Sequence, residues 1–496
     1  MTYPTYHNLI GGEWLPAASG KTTLNVNPAD HEDIVGAFPS SGPEDVAKAV
    51  AAAKKAFATW RLVPAPKRAE ILVRAGSLLQ QRKEQFARDM TREMGKVLAE
   101  TRGDVQEAID EAFYVAGEGR RLFGQTTPSE LQNKFAMSIR MPVGVVGLIT
   151  PWNFPMAIPS WKLFPALVGG NTCVIKPATD TPLSTYNLVQ TLVDAGVPPG
   201  VINIVSGSGG AVGNALIEHP DVRAISFTGS SEVGSHVAQR AAATFKPVSL
   251  EMGGKNAQIV LDDANLELAL DGALWGAFGT TGQRCTATSR ILLQKGIARK
   301  FINEFVARAR ALKIGNGLDE SVQVGPQVNK SQIETSAKYV EIATKEGGKL
   351  LCGGHALTSG EYAKGTFFEP TVFAGITPAM RLAREEVFGP VVAVIEFDTF
   401  EQGIEIANSI EYGLSSALYT KDLNRAFAAI RDLEAGITYI NAPTIGAEVH
   451  LPFGGVKATG NGHREGNGAI DFFTTWKAVY VDYSDKLQRA QIDNAE

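Results

Sequence analysis

The chain first shows an amphipathic pattern that is typical of helices. Between Val46 and Trp60, apolar side chains recur at intervals of three or four residues, which places them on one helix face. Prolines separate this helix from a second one, and a glycine follows the second. The predicted helices cover residues 44–60, 67–94 and 98–122.

The pattern changes after residue 142, where short β-branched runs alternate with helical stretches. Such alternation is typical of βαβ units and predicts a parallel sheet covered on both faces. Ligands of open α/β sheets bind beyond the carboxyl ends of the strands. Gly, Pro, Ser or Thr stands within the last two positions of each run, so we expect polar groups just past the strands to line one crevice. The runs are VGVVGLIT (143–150), NTCVIKPA (171–178), VINIVSG (201–207), VRAISFTG (222–229) and PVSLEMGG (247–254).

A second round of α/β alternation follows, from about residue 256 to residue 440. The spacing of apolar residues predicts helices over 264–279 and 297–312, and VVAVIEF at 391–397 predicts a strand. A loop rich in glycine and proline comes next, at 442–462.

The tail TTWKAVYVDYS, at 474–484, is strand-like but has no obvious partner nearby in the sequence. We expect such a terminal strand to pair with another subunit or with a distant hairpin. Residues 125–141, which alternate weakly between apolar and polar positions, are the candidate for that hairpin.

Length and composition narrow the class of protein. A chain of 496 residues suggests about three domains, and 44% hydrophobic with 20% charged residues is ordinary for soluble proteins. The net charge of −5 argues against nucleic-acid binding as the main function. No run approaches the ~20 apolar residues that span a bilayer, and the first residues do not resemble a secretory signal. We expect a soluble, cytoplasmic protein with no membrane partner.

Three cysteines cannot form a disulfide framework, and so few are usual in a reducing compartment. Cys173 lies in an apolar run and is predicted to be a core residue, and Cys352 is predicted to be structural. Cys285 differs, because Gly, Gln, Arg and Thr surround it in GTTGQRCTATSR. From these residues alone it is either an inert buried thiol or a nucleophile. The seven histidines are scattered without zinc spacing, so no metal site is expected.

Polar residues follow the predicted strands where the crevice should lie. Glu251 closes the fifth run and is either a solvent-exposed strand end or a site residue. Asn153, in TPWNFP, either forms a turn or points its amide at a developing oxyanion. Lys176 ends the second run, and Gly229 with Ser230 leads the fourth run into a helix. A glycine turn that enters a helix N-terminus favours phosphate binding.

Taken together, these segments resemble the aldehyde dehydrogenase superfamily, with seven motifs in the family's order and spacing. The resemblance implies an α/β fold with a Rossmann-type parallel-sheet cofactor domain, an α/β catalytic domain and a small β oligomerisation element. The implied domains are 1–122 with 143–253 for NAD(P) binding, 254–466 for catalysis, and 123–142 with 467–496 for the oligomerisation arm. The motifs are TPWNFP, IKPATDTP, FTGSSEVG, LEMGGKNA, GQRCTATSR, EEVFGPV and PFGGVKATGNGHREG.

The resemblance implies a mechanism for the oxidation of an aldehyde. The Cys285 thiolate attacks the aldehyde carbon and forms a hemithioacetal, whose oxyanion is held by the Asn153 amide and the Cys285 backbone N–H. Loss of hydride to the nicotinamide leaves a thioester. Glu251 then acts as the general base on the water that hydrolyses this thioester to the carboxylic acid.

The same resemblance implies residues that contact NAD or NADP and the aldehyde. Ile149, Trp152 and Lys176 would contact the adenosine half of the cofactor, and Gly229 and Ser230 its diphosphate. Glu386 and Phe388, in EEVFGPV, would hold the nicotinamide ribose and ring. The residues implied for the aldehyde tunnel are Phe154, Trp161, Thr286 and Phe453.

The sequence departs from related groups at two positions. Members strict for NAD usually carry Glu three residues after the lysine, and this chain has Thr179 there. A threonine does not repel a 2′-phosphate and Lys176 could pair with it, so the sequence predicts that NADP is accepted. The succinate-semialdehyde branch carries Arg eight residues after the asparagine, where this chain has Trp161. The segments PWNFPMAIPSWK and NAPTIGAEVHLPFGG are similar to a group that oxidises 2-oxoglutarate semialdehyde (2,5-dioxopentanoate).

Two alternatives remain at this point. An acylating branch passes the thioester to coenzyme A and lacks the base at the Glu251 position, so the presence of Glu251 favours hydrolysis. A non-catalytic member would serve as a structural or binding protein, but such a member can lose its nucleophile or base, and both are present here. The assembly is expected to be a homotetramer or a homodimer.

Overall fold

A computed structural model describes residues 3–463 and 465–492 of the chain. Its elements are numbered here in chain order. The α-helices are α1 (Pro43–Trp60), α2 (Ala65–Met94), α3 (Leu98–Glu118), α4 (Ala157–Gly169), α5 (Pro182–Asp194), α6 (Asn214–Glu218), α7 (Ser231–Ala242), α8 (Leu266–Phe278), α9 (Lys295–Ala311), α10 (Lys330–Lys345), α11 (Arg381–Arg384), α12 (Phe400–Asn408), α13 (Leu423–Asp432) and α14 (Ala469–Phe472). The strands are β1 (Asn8–Ile10), β2 (Glu13–Leu15), β3 (Thr22–Val26), β4 (Ile34–Pro39), β5 (Gln125–Pro128), β6 (Lys134–Pro142), β7 (Val145–Ile149), β8 (Thr172–Lys176), β9 (Ile202–Ile204), β10 (Val222–Thr228), β11 (Val248–Glu251), β12 (Asn256–Val260), β13 (Thr288–Gln294), β14 (Lys349–Cys352), β15 (Ala356–Leu357), β16 (Phe367–Phe368), β17 (Thr371–Ala374), β18 (Val391–Phe397), β19 (Tyr412–Gly413), β20 (Ser415–Tyr419), β21 (Ile437–Ile440), β22 (Pro452–Phe453), β23 (Val456–Lys457), β24 (Glu465–Gly466) and β25 (Thr474–Asp482).

The first large sheet contains all five β-branched runs as strands, in the order β11-β10-β7-β8-β9-β1-β2. The five central strands are parallel, as predicted, and β1 and β2 add antiparallel strands at one edge. After β9 the chain returns to the other side of β7 to form β10. Strand order therefore reverses between β7 and β10, and such a reversal opens a ligand crevice at the carboxyl ends of the strands.

The second large sheet has the order β14-β17-β18-β13-β12-β20-β21, and all of its strands except β14 are parallel. Residues 252–255 connect β11 of the first sheet directly to β12 of the second. The segment that carries Cys285 lies between α8 and β13, at the start of a central strand of the second sheet. Because of this connection, the ends of both sheets meet around Glu251 and Cys285.

The predicted helices are confirmed, with shifted ends. Helix α2 begins at Ala65 rather than at 67, because Pro66 occupies the first turn, where its missing N–H costs nothing. Helix α3 ends at Glu118 rather than at 122. Gly119 follows it so close to α2 that a Cβ there would lie 2.4 Å from the Cβ of Ala69, and the chain then turns away toward β5.

The tail forms β25, which pairs along its whole length with β6, and β6 pairs with β5. The distant-hairpin prediction is therefore confirmed within a single chain. Several large side chains of this three-stranded arm are exposed, including Phe135, Trp476 and Tyr480. The division into domains stays a prediction. No helix in the described part of the chain is long and apolar enough to cross a membrane.

Candidate active site

The loop that precedes Cys285 has an unusual backbone. Thr280 and Thr281 have φ values of 53° and 57°, and Gly282 follows at 68°. Positive φ is uncommon for non-glycine residues, and two in succession require support from their surroundings. Glu100, in the first turn of α3, supplies it, because its two carboxylate oxygens accept the Thr280 backbone N–H at 2.8 and 2.9 Å. Glu100, which precedes Cys285 by 185 residues, thus holds the loop that carries Cys285.

Three cavities lie along the ends of the two sheets, and two of them meet at Cys285. We call them the aromatic cavity (about 340 Å³), the strand-end cavity (about 220 Å³) and the glycine cavity (about 360 Å³). Cys285 lines both the aromatic and the strand-end cavity, together with Ile158, Thr228 and Met252. Cys285 therefore lies at the junction of these two cavities.

The aromatic cavity contains every residue that the sequence implied for the aldehyde: Phe154, Trp161, Thr286 and Phe453. The rings of Trp161 and Phe453 meet edge to face, with centroids 5.1 Å apart. Glu251 lines the same cavity. Further residues line this cavity without having been assigned to it from the sequence. Glu100, Asp104, Glu107 and Trp275 lie outside the motifs, whereas Arg284 and Glu465 lie within GQRCTATSR and PFGGVKATGNGHREG, where no role was assigned to them.

The strand-end cavity brings six further predicted residues together with Cys285, which are Trp152, Asn153, Gly229, Ser230, Glu386 and Phe388. Trp152 was predicted to lie by the adenosine, but here it contacts Phe388 edge to face, with ring centroids 5.2 Å apart. Phe388 has a φ of 57°, a strained conformation for an aromatic residue. Gln332 of α10, for which the sequence predicted no role, also lines this cavity and donates a hydrogen bond of 2.8 Å to the Phe388 carbonyl.

The glycine cavity contains Ile149 of the predicted set and the start of α7. Its wall includes Gly209 and Gly210, where an added Cβ would meet no atom within 4 Å. Open space over glycines beside the N-terminus of a twelve-residue helix fits a dinucleotide phosphate and its adenosine. Lys176 is buried near this cavity and donates to the Pro177 carbonyl at 2.8 Å, while Thr179 is exposed.

Burial and neighbouring carboxylates keep the Cys285 thiol neutral. Desolvation, with the negative charges of Glu386 and Glu251, raises its pKa to about 12, and a hydrogen bond from the Thr286 backbone N–H lowers it only partly. Burial also raises the pKa of Glu386 to about 7, although its carboxylate accepts the Gly254 backbone N–H at 2.9 Å. Without a ligand, the thiol is protonated at neutral pH.

Two hydrogen-bond donors beside the thiol have no partner among the described residues: the side-chain amide of Asn153 and the backbone N–H of Cys285. Asn153 is 3% exposed and lines the strand-end cavity. Preorganised donors of this kind suit an oxygen that becomes negatively charged during a reaction. Glu251, the last residue of β11, is 2% exposed and lies on the other side of Cys285, in the aromatic cavity.

The family model for "Aldehyde dehydrogenase family" matches residues 14–479. This chain belongs to the aldehyde dehydrogenase family. An alpha-ketoglutaric semialdehyde dehydrogenase of Bacillus subtilis is 44% identical over 478 residues, which cover 96% of this chain and 98% of the relative. A 2,5-dioxopentanoate dehydrogenase of Saccharolobus solfataricus is 38% identical over 475 residues, which cover 95% and 98%.

Solved structures lead to the same family. The betaine aldehyde dehydrogenase of Staphylococcus aureus, solved with NAD⁺, has a TM-score of 0.95 at 34% identity and covers 97% of this chain and 96% of its own. The α/β fold implied by the sequence motifs is therefore confirmed. The protein is an enzyme that oxidises an aldehyde to the carboxylic acid, with NAD or NADP as the hydride acceptor.

Proposed function

We propose that this enzyme oxidises 2-oxoglutarate semialdehyde, or a semialdehyde of similar length with a terminal carboxylate, through a covalent intermediate on Cys285. The observation that carries the catalytic assignment is the location of Cys285, which lines both the aromatic cavity and the strand-end cavity. A nucleophile at this junction can contact an aldehyde from one side and a hydride acceptor from the other. The relatives from Bacillus subtilis and Saccharolobus solfataricus support the substrate.

In the first step, the Cys285 thiol releases its proton to solvent and the sulfur attacks the aldehyde carbon. The new oxyanion accepts hydrogen bonds from the Asn153 amide and the Cys285 backbone N–H, the two donors described above. NAD(P)⁺, when bound, supplies the acceptor for the hydride that leaves the hemithioacetal carbon. Cys285 is then a thioester of the product acid.

In the second step, Glu251 takes a proton from a water molecule, and the resulting hydroxide attacks the thioester carbon. The carbon–sulfur bond breaks, the acid leaves, and Cys285 is restored. The low exposure of Glu251, and its presence in the cavity that Cys285 also lines, support this role. Hydrolysis by such a base needs no coenzyme A, so product should form at full rate without it.

We propose that the cofactor extends from the glycine cavity to the strand-end cavity. Ile149 and Lys176 would contact the adenosine half, Gly229 and Ser230 the diphosphate, and Glu386 with Trp152 and Phe388 the nicotinamide end.

The exposed Thr179 supports acceptance of NADP, because this position brings no carboxylate near a 2′-phosphate. Replacing Thr179 with Glu should lower kcat/KM for NADP⁺ at least tenfold and spare NAD⁺. A wild-type kcat/KM for NADP⁺ a hundredfold below that for NAD⁺ would contradict the proposal.

The direct test of the nucleophile is Cys285→Ala. Turnover should disappear, while NAD(P)⁺ binding, measured by calorimetry, stays within about twofold of wild type. Cys173→Ala is the matched control, because Cys173 is fully buried in the core of the first sheet and should leave turnover per folded molecule intact. Activity in Cys285→Ala would refute the mechanism.

We also propose that the enzyme is a homodimer or homotetramer and that it is cytoplasmic. The exposed apolar side chains of the arm formed by β5, β6 and β25 support association. All three cysteines are free thiols, which supports a reducing compartment. Light scattering and cell fractionation test the two proposals separately.

A further inference from the structure

The substrate proposed above carries a carboxylate, and none of the sequence motifs identified a cation that binds it. Among the described residues that line the aromatic cavity, Arg284 is the one basic side chain. Two lysines lie in the same region, but each is already paired in the interior. Lys96 donates to Asp104 at 2.8 Å, and Lys162 forms an ion pair with Glu465. Neither lysine lines the cavity.

The guanidinium of Arg284 is held in place but keeps donors available. Its Nε donates to the Thr280 hydroxyl at 2.8 Å and its Nη2 donates to Glu100 at 3.1 Å. The rings of Phe154 and Trp275 lie 5.3 and 5.9 Å from its central carbon. Nη1 has no hydrogen-bond partner in the described part of the chain. Since a guanidinium has five N–H groups, at least two are left for a ligand in the cavity.

We propose that Arg284 binds the terminal carboxylate of the substrate and so selects anionic semialdehydes over neutral aldehydes. This inference rests on the proposed function, because it concerns the same substrate molecule. Cys285 would react with the aldehyde end of that molecule, and Arg284, the preceding residue, would bind its carboxylate end. The aldehyde carbon meets the sulfur, and the chain between the two ends lies against Phe154, whose ring lines the cavity beside both groups. A fixed, weakly hydrated guanidinium is well suited to a carboxylate.

Glu107 supports the same inference. It lines the aromatic cavity and makes no hydrogen bond with any described residue. Burial and the nearby Asp104 raise its pKa to about 8, so it is mainly protonated at neutral pH. A neutral carboxyl does not repel an anionic substrate, and its O–H can donate to a substrate oxygen.

The test compares two aldehydes that differ only at the far end, 5-oxopentanoate and pentanal. The wild type should prefer 5-oxopentanoate at least tenfold in kcat/KM. In Arg284→Gln, kcat/KM for 5-oxopentanoate should fall roughly 10- to 100-fold, mainly through KM, because a charge-assisted hydrogen bond is lost. The value for pentanal should change less than about threefold. Arg284→Lys keeps the charge and should recover part of the preference.

Glu100→Gln is the comparison variant, because it weakens the support of the Cys285 loop and removes the carboxylate that accepts from Arg284, while the Arg284 charge remains. It should lower kcat for both aldehydes and preserve the preference for 5-oxopentanoate. If Arg284→Gln lowers kcat/KM for both aldehydes equally, Arg284 only positions the loop and the inference is wrong. If Arg284→Gln does not fold, the preference is read from Arg284→Met, which keeps a long side chain and removes the charge, and a preference for 5-oxopentanoate unchanged from wild type then overturns the inference.

Different results would refute the proposed function itself, and they concern the substrate preference of the wild type. A wild type that prefers pentanal to 5-oxopentanoate excludes an anionic semialdehyde altogether. A wild type that prefers 4-aminobutanal shows that the cavity carboxylates bind a cation, and both proposals then fall. Preference for 5-oxopentanoate that persists unchanged in Arg284→Gln leaves the proposed function intact and removes only the role of Arg284.

Discussion

Asn256 fixes the peptide backbone of Cys285. Its side-chain amide donates to the carbonyls of Cys285 at 2.7 Å and Ala287 at 2.9 Å, and its oxygen accepts the Ser415 backbone N–H at 3.0 Å. A Cβ added at Gly254 would lie 2.6 Å from the Cys285 carbonyl oxygen, so this approach requires glycine. The carbonyl of Cys285 is thereby held by Asn256 and closely approached by Gly254.

Asn256→Ala should both destabilise the protein and slow the reaction. Two buried carbonyls and one N–H lose their partner, which costs about 2–3 kcal/mol, and the Cys285 backbone gains freedom. We expect kcat to fall at least tenfold while the Kd for the cofactor changes little. Denaturant unfolding and steady-state kinetics measure the two effects. Asn256→Asp is the control, because it keeps the acceptor and removes the donor; wild-type kcat in both variants would show that this contact does not position the nucleophile.

Asn153→Ala removes one of the two donors assigned to the oxyanion. We expect kcat to fall about 10²- to 10³-fold, the usual effect of deleting one such donor. Because the Asn153 amide has no partner in the described residues, thermal stability should change little. Single-turnover kinetics separate the hydride step from deacylation. A defect confined to deacylation would contradict the assignment.

The raised pKa of Cys285 predicts how alkylation depends on pH without cofactor. Burial favours the neutral thiol, so the thiolate fraction rises tenfold for each pH unit below the pKa of about 12. The iodoacetamide rate at Cys285 should therefore climb from pH 7 to pH 10 without a plateau, whereas an ordinary thiol levels off above about 8.5. Cys285→Ser gives the background from the other cysteines. A plateau below pH 9 would show that a cation stabilises the thiolate.

Much of the fold could be predicted because its signals are local. The β-branched runs and the apolar spacing of α1 to α3 each lie within one stretch of sequence, and strand β18 (Val391–Phe397) matches its predicted bounds. The ends of the helices were predicted less accurately, because they depend on tertiary contacts. Helix α3 ends at Glu118, earlier than the apolar pattern suggests, where Gly119 lies against Ala69 of α2.

The site was predictable only where residues lie in motifs. Cys285, Glu251 and Asn153 each stand in a recognisable segment, and the structure brings them to neighbouring cavities. Glu100 and Glu107 were missed because helix α3 carries them as ordinary polar residues of an amphipathic pattern. Only the packing of α3 against the Cys285 loop reveals that they face a cavity.

The buried pair of Lys162 and Glu465 predicts a strong effect on stability. Lys162 also donates to the Ser226 hydroxyl at 2.8 Å, and both charges are almost completely buried. Lys162→Met leaves the Glu465 carboxylate without its partner, which should cost about 3–5 kcal/mol in the free energy of unfolding. Adding Glu465→Gln should recover part of this loss. Equal stability of Lys162→Met and wild type, in denaturant unfolding, would contradict this prediction.

The thioester mechanism on Cys285 is tested most directly by mass spectrometry on Glu251→Gln. With aldehyde and NAD(P)⁺ present, the variant should release about one equivalent of NAD(P)H and then stall, because the thioester forms but no base activates the water. The peptide containing Cys285 should gain the mass of the acyl group in Glu251→Gln. The double variant, which carries both Glu251→Gln and Cys285→Ala, should show no adduct. Steady turnover at the wild-type rate, or an adduct on any other residue, would contradict the account.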